Sequence, residues 1–324
     1  MGSPGGYVRT TGHLSVEERA AVERLVDAAA RVDGVRALDE QATLLLRTPA
    51  AATPPDSATR PASVHLLAGD GSTGYARLDR PPDGGGDATG DVVVHPDHRG
   101  HGLGRALVDR LEAEAAGTPV RVWAHGPHPA AGPLAAATGF TPVRHLAWMR
   151  RSLVGPQAPP LPDVSAPAGV TIRTFSPGHD EQAWLAANAA AFADHLEQGR
   201  WTRADLDARL EAPWFDPAGF FVAESETRPG RLVGFHWTKV HEGPVRNEPG
   251  PMGEIYVLGV VPDTQGGGLA KALAVAGLRH LRERGLDTVG LYVEADNSAA
   301  VGLYEKLGFV VAATDVMYRH AGQV

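Results

Sequence analysis

The sequence contains no cysteine. That excludes disulfides, thiolate nucleophiles and cysteine-ligated zinc together. Clustered positive charge is also missing. Thirty Lys and Arg stand against 38 Asp and Glu, a net charge of −8, and Arg144, Arg150 and Arg151 are scattered around a domain end. A nucleic-acid partner is therefore not expected, because phosphate contacts need grouped cations. No apolar run approaches the ~18 residues of a membrane span, and the opening MGSPGGYVRT has no apolar signal core. The expectation is a soluble, cytoplasmic protein without a membrane partner. His95, His98, His101, His125 and His128 fall across loops, and no carboxylate accompanies them in a pattern such as H-E-x-x-H, so no metal is expected. What the chain does have is globular in kind: 43% apolar residues, 21% charged, and 39 glycines in 324 residues. That length suffices for two domains.

One stretch organises the rest. Glu254 to Leu273, EIYVLGVVPDTQGGGLAKAL, starts as a β-branched run, breaks at Pro262-Asp263, crosses three glycines and re-emerges as an Ala/Leu helix. A strand leading through glycines into a helix N-terminus forms an anion cradle. The free N–H groups and the helix dipole favour phosphate, and glycine lets a ligand approach the backbone.

The chain then reads in order. Residues 1–12 form a loose polar start. Ser15 and Glu18 make a capping box, followed by a helix with Val22, Leu25, Val26 and Ala29 on one face. Short strands follow at Val64–Ala68 and Gly74–Leu78. Asp91 to Gly104 repeats the strand and glycine-loop pattern, its helix placing Leu103, Leu107 and Leu111 inward. A strand (Val120–Ala124), a short helix (Pro129–Thr138) and a strand (Phe140–Met149) complete a first half. The proline-rich stretch from Gly155 to Gly169 reads as an inter-domain linker. A second half follows, with strands at Val170–Thr174, Phe220–Ser225, Leu232–Val240 and Thr288–Glu294, helices at Asp180–Ala193 and Ser298–Leu307, and a last strand from Phe309. The expected division is a first domain at 1–154, a linker at 155–168 and a second domain at 169–324. Gly102-Leu103-Gly104 overlays Gly268-Leu269-Ala270, and Thr138-Gly139-Phe140 overlays Leu307-Gly308-Phe309. The fold class is therefore α/β, with a mixed sheet and helices on both faces, duplicated.

Arg99-x-x-Gly102-x-Gly104 and Gln265-x-x-Gly268-x-Ala270, each after a Val-rich strand, resemble the (Q/R)-x-x-G-x-(G/A) loop of the GCN5-related N-acetyltransferases. Asn297-x-x-Ala300-x-x-x-Tyr304-x-x-x-Gly308-Phe309 resembles that family's second motif. The resemblance covers nearly the whole chain as a tandem pair. It implies acetyl-CoA as cosubstrate, with the pyrophosphate on the glycine loop. The implied acetyl-CoA contacts in the second half are Leu258, Gly259, Val260, Gln265, Gly266, Gly267, Gly268, Leu269, Ala270, Lys271, Asn297, Ser298, Ala299, Ala300, Val301 and Gly302. In the first half they are Val92, Val93, Val94, Gly100, His101, Gly102, Leu103, Gly104 and Arg105. The second loop has no arginine where the first keeps Arg99, so weaker electrostatic help is expected there.

Asp39-Glu40-Gln41, FADHLEQGRW at Phe192–Trp201, PWFDP at Pro213–Pro217, GFHWTKVH at Gly234–His241 and LYVEADN at Leu291–Asn297 are similar to a tandem branch of the family. That branch acetylates the cysteinyl amine of a Cys-GlcN-inositol thiol. This narrower resemblance implies Glu40, Glu197, Lys239, Glu254 and Tyr292 as contacts for the thiol-sugar. Amine acetylation needs a base for the ammonium, donors for the thioester carbonyl and an acid for the leaving thiolate. Glu254 and Tyr304 fit the base and the acid, and the amides near Leu258 to Val260 fit the donors. The first half has Ala88, Ala135 and His128 where the second has Glu254, Tyr304 and Asn297. It is expected to hold CoA without running the proton transfers. The chain is expected to be monomeric. Two other readings stay open: acetylation of a different small amine, such as an antibiotic or polyamine, and an acyl-CoA-binding regulatory module without turnover.

Overall fold

The computed structural model describes residues 8–38, 42–43, 46, 63–81, 85–156, 158–193, 195, 198–243, 245–246, 248 and 250–322. The chain forms two compact units, Met1–Leu146 with Ala313–Val324, and Ala147–Ala312. This differs from the expected 1–154, 155–168 and 169–324. The last strand of each half is split, and part of it completes the other unit's sheet.

In unit 1, β1 (Val8–Thr11), β2 (Ser63–Ala68), β3 (Gly74–Asp79), β4 (Ala88–Val94) and β5 (Val120–Ala124) lie in chain order. The pairs from β1 to β4 are antiparallel, and β4 runs parallel to β5. The end of β12 (Val310–His320) then adds beside β5, with Val316 opposite Ala124 and His320 opposite Val120. Of the expected loose start, the described residues from Val8 onward form a strand instead. Val8 to Thr11, rich in β-branched residues, pairs along β2 from Val8↔Ala68 to Thr11↔His65. Helix α1 (Val16–Asp33) opens on the expected capping box and packs Val22, Leu25 and Val26 with Leu67, Tyr75 and Val93. Helices α2 (Leu103–Ala115) and α3 (Ala131–Ala137) cover the other face, where Leu103, Leu107 and Leu111 join Leu66, Ala76 and Leu78.

In unit 2 the order is β6-β11-β10-β9-β8-β7, from β6 (Thr141–Ser152, of which Ala147 onward belongs to this unit), β7 (Val170–Thr174), β8 (Phe220–Ser225), β9 (Leu232–His241), β10 (Met252–Val260) and β11 (Thr288–Glu294). Helices α4 (Glu181–Ala191) and α5 (Arg203–Leu210) precede β8, α6 (Leu269–Glu283) follows β10, and α7 (Ser298–Lys306) follows β11. Sequence periodicity missed α5. Thr202 and Asp205 make its capping box, and the helix is only eight residues long, with Leu206 its one fully buried residue. The proline-rich segment lies within unit 2. Its Pro159 and Pro162 carbonyls accept hydrogen bonds from Arg151 (2.6 Å) and Arg279 (3.1 Å), and Leu161 and Val164 pack on the core.

Two features of this sheet position the site. The first is a parting of strands. β10 pairs with β11 only from Gly253↔Val289 to Ile255↔Leu291, after which no pair joins them. β4 and β5 likewise pair only from Ala88↔Val120 to Gly90↔Val122. The second is a bulge. Between Ile255 and Val257 the register with β9 shifts, so Tyr256 is an extra residue. Tyr256 and Val257 therefore both pack on the aromatic side, whereas Ile255 and Leu258 pack on the α6 side. The β3–β4 register runs without a shift.

Candidate active site

β9 presents Trp237, Lys239 and His241 to one face by its two-residue alternation, and β10 presents Glu254 to the same face. Lys239 lies directly across from Glu254 in the antiparallel ladder. Both side chains are buried. The Lys239 ammonium sits over the rings of Trp214 (4.5 Å) and Tyr256 (5.2 Å), a cation–π seat. Tyr256 in turn receives a hydrogen bond from Arg209 Nε at 2.9 Å. His241 reaches diagonally to Glu254, Nε2 to Oε2 at 2.6 Å. Tyr292 is displayed on the same face of β11, two residues beyond Gly290, the partner of Glu254. Its ring meets Trp148 at 4.6 Å, and its hydroxyl accepts from Arg246 Nε at 3.2 Å. Gly290 is required: a Cβ there would come within 2.2 Å of the Trp148 ring.

Tyr304, on α7, lies on the opposite face. It belongs to the cluster of Ile255, Leu278, Leu291 and Val293 and stands edge-on to Phe309. Burial raises its phenol well above the ordinary tyrosine range, so the proton stays on at neutral pH. The phenol has no hydrogen bond among the described residues. Glu254 and Tyr304 thus flank, from opposite faces, the point where β10 and β11 part.

The cradle follows. After the parting, Leu258, Gly259 and Val260 stay paired to β9 on one side only. The chain turns through a short 3-10 segment, Pro262–Thr264, and two left-handed glycines, Gly266 and Gly268, at φ 85 and 83. Gly268 caps α6 with no side-chain bond to the first amides of the helix, leaving Leu269, Ala270 and Lys271 to present N–H groups outward. A Cβ at Gly266 or Gly268 would meet no atom within 4 Å, so what requires glycine is the backbone angle and an open face. An uncapped helix start behind an open glycine loop fits the pyrophosphate of acetyl-CoA. Asn297 Oδ1 accepts from Ala300 N at 3.1 Å and caps α7, which places Ser298 to Gly302 in its first turns. Unit 1 repeats the cradle with Gly100 and Gly102 at φ 77 and 85, followed by the start of α2 at Leu103, Gly104 and Arg105. Val92 to Val94 and Gly104 line a cavity of about 260 Å³ that also reaches Trp123, His125, Ala135 and Tyr318.

The structure changes three readings. Arg99 does not lend its charge to the cradle: its Nε donates to Val94 O at 3.0 Å, and its other nitrogens grip Asp33 at 2.6 and 2.7 Å. Gln265 makes the equivalent tie, Nε2 to Val260 O at 3.0 Å, so the missing arginine costs unit 2 no loop contact. The bulge also moves the overlay. Counting back from Gly74↔Val94 and from Gly234↔Val260, the place of Lys239 is taken by Asp79 and that of Glu254 by Thr89, not Ala88. His128, in the place of Asn297, accepts from Ala130 N at 3.2 Å within the preceding turn, but α3 starts at Ala131 with no side-chain cap. Glu40 and Glu197 lie outside the described residues. His241, Trp214, Tyr256, Trp148 and Arg246 were not assigned to the site from sequence; the period-two run Trp237, Lys239, His241 was the signal that could have found the first.

An acetyltransferase (GNAT) family model matches residues 187–309, and an acetyltransferase (GNAT) domain model matches residues 61–142. The mycothiol acetyltransferase of Thermomonospora curvata is 54% identical over 306 residues, 94% of this chain and 95% of that protein. The mycothiol acetyltransferase of Streptomyces coelicolor is 51% identical over 320 residues, 96% of this chain and 94% of that one. The chain belongs to the GNAT family, in its mycothiol acetyltransferase group. A GCN5-related N-acetyltransferase from Sphaerobacter thermophilus superposes with a TM-score of 0.68 at 26% identity, covering 98% of this chain and 96% of that one. A tandem GNAT protein from the clavulanic acid biosynthesis pathway shares the fold, at a TM-score of 0.68 and 21% identity over 98% of this chain and 100% of that one. Like other GNAT enzymes, the chain is an acetyl-CoA-dependent N-acetyltransferase. Among the described residues no helix is long and apolar enough to cross a membrane, and no three metal-ligating side chains gather.

Proposed function

We propose that unit 2 transfers the acetyl group of acetyl-CoA to the cysteinyl amine of desacetylmycothiol, and that unit 1 holds acetyl-CoA without turning it over. The observation that carries this is the placement of Glu254 and Tyr304 on opposite faces of the gap between β10 and β11. Acetyl-CoA supplies the thioester. Glu254 takes a proton from the substrate ammonium and frees the nitrogen lone pair. Backbone N–H groups of Leu258 to Val260 that are not spent on β9 donate to the thioester carbonyl. Tyr304, still protonated, gives its proton to the sulfur that leaves as CoA. Lys239, Tyr292 and the rings around them present a polar, half-aromatic wall to a hydroxyl-rich thiol-sugar, with Glu40 and Glu197 assigned to the same substrate. A buried ammonium beside the base disfavours polycationic amines through like charge.

In unit 1 the same places hold Thr89, Ala135 and Asp79. None supplies a base and an acid across the gap. The cradle geometry is intact, which supports cosubstrate binding there. The test is acetyl transfer to desacetylmycothiol against a panel of other small amines, with product read by mass. A clear preference in kcat/KM for desacetylmycothiol is expected. Equal rates across the panel would overturn the substrate assignment and leave the acetyltransferase class intact.

A further inference from the structure

We propose that His241 is the positioning residue of the general base. The inference rests on the reading of Glu254 as that base. Glu254 sits near the start of β10 with its side chain about nine-tenths buried, so its rotamer and hydrogen bonding are set by the protein rather than by water. Lys239, the residue directly opposite, is turned over the Trp214 and Tyr256 rings. The side chain that reaches the carboxylate is one step further along β9: His241 Nε2 lies 2.6 Å from Glu254 Oε2. His241 pairs with Met252, so it meets Glu254 on the diagonal of the ladder, within the span of two long side chains. Its ring is partly open to solvent, at 23%.

The consequence follows from the donor inventory. A neutral imidazole carries one N–H, and a carboxylate is acceptor-only. With Nε2–H spent on Oε2, that oxygen is fixed and Oε1 is the oxygen left to receive the amine proton. When acceptor binds, the ammonium N–H bond breaks and an O–H bond forms at Oε1. The imidazole gains and loses nothing in that step. Its part is to hold the base in one orientation before the substrate arrives, as outer-shell partners do for other reacting groups.

The bond is also specific to unit 2. The residue in the place of His241 would follow Asp79 by two positions, and Asp79 is already committed to Arg77 and Ser63, at 2.7 and 2.5 Å. No base stands at Thr89 for such a residue to hold.

The experiment uses the full chain, with acetyl-CoA and desacetylmycothiol, and three variants: His241→Ala, His241→Gln and Glu254→Gln, together with the double variant Glu254→Gln/His241→Ala. His241→Ala is expected to lower kcat about 10- to 100-fold while the KM for acetyl-CoA stays as it was. His241→Gln, whose amide can still donate to Oε2, is expected to recover most of that loss. The double variant is expected to be no slower than Glu254→Gln alone, because residues acting as one unit do not add. An unchanged kcat in His241→Ala, with Glu254→Gln inactive, would overturn the inference and spare the base assignment. So would a loss in His241→Ala that glutamine does not restore, or one that raises both KM values and lowers the melting temperature. Full turnover in Glu254→Gln would instead overturn the reading of Glu254 on which the inference stands.

Discussion

The two units are built from one plan and differ in what fills it. Both have an N-terminal helix, a run of antiparallel strands, a parallel pair that parts, a left-handed glycine loop and a helix that starts on it. The φ angles of the capping glycines, 85 at Gly102 and 83 at Gly268, agree closely. The side chains at the parting do not: the places of Glu254, Tyr304 and Lys239 in unit 2 are taken by Thr89, Ala135 and Asp79 in unit 1. Unit 2 alone has the bulge at Tyr256. On the proposed reading, cosubstrate recognition is written in the backbone, which the two units share, and proton transfer in a few side chains and one inserted residue, which they do not.

The largest effect is expected from exchanging those side chains. Glu254→Gln and Tyr304→Phe should each lower kcat by about 10²- to 10⁴-fold, the range of a lost general base or acid. Acetyl-CoA binding, followed by calorimetry, should persist in both. Retained turnover in both variants would erase the proposed division of labour.

The second test concerns packing, where the units solve one problem in opposite ways. In unit 2 the ring of His236 fills the space over Gly277, where a Cβ would come within 2.1 Å of it, and its Nδ1–H donates to Leu273 O at 2.8 Å. By the same overlay unit 1 places Ala76 and Leu111 there, small on the strand and large on the helix. Gly277→Ala should therefore destabilise unit 2 by roughly 1–3 kcal/mol, the cost of overpacking, measured by denaturant unfolding. A change below a few tenths of a kcal/mol would mean that the ring yields freely.

A pH series sharpens the same contrast. Burial holds the His236 ring neutral, with its pKa lowered to about 4, against about 6.5 for an unfolded imidazole. Between those values the unfolded chain binds the extra proton, so stability falls as pH drops from about 6.5 toward 4, by at most ~1.4 kcal/mol per pH unit for this group. His65 of unit 1, lowered to about 4 by burial and then by the Arg77 charge, acts in the same direction. Melting temperatures across pH 4–7 should show the slope, and His236→Gln should flatten it in part, leaving the share of His280, whose pKa burial also lowers. An unchanged slope in that variant would remove His236 from the account.

Smaller again is Arg99→Gln, which breaks the paired bonds to Asp33 and should cost unit 1 about 1–2 kcal/mol by chemical unfolding. It should leave acetyl-CoA affinity close to that of the parent chain, since Gln265 already does without the charge. The smallest effect is Thr89→Ala, an exposed residue of β4, with turnover expected to stay within about twofold of the parent chain.

Much of this was legible in the sequence. The glycine loops, the Gly-Phe corners and the helix faces at Leu103, Leu107 and Leu111 carry local signals that survive without tertiary context. So do Glu254 and Tyr304, because motif spacing fixes them relative to the loop. What was not legible is non-local. Thr141–Ser152 and Val310–His320 read as ordinary closing strands; nothing in their alternation says that each would be shared between units. The bulge was hidden because EIYVLGV is apolar on both faces, so an extra residue leaves no break in pattern. That is why the overlay set Ala88 against Glu254 when the sheet sets Thr89. His241 looked like a strand end beside Glu242 and Gly243; only the pairing of β9 with β10 brings it to the carboxylate.

The most direct measurement is a single preparation of the Glu254→Gln/Tyr304→Phe chain, tested for acetyl transfer to desacetylmycothiol and for the number of acetyl-CoA molecules bound per chain. Turnover reduced by at least about 10³-fold, with both cradles still filling, is the predicted result. Turnover within about tenfold of the parent chain would contradict it and would place the chemistry outside the gap between β10 and β11.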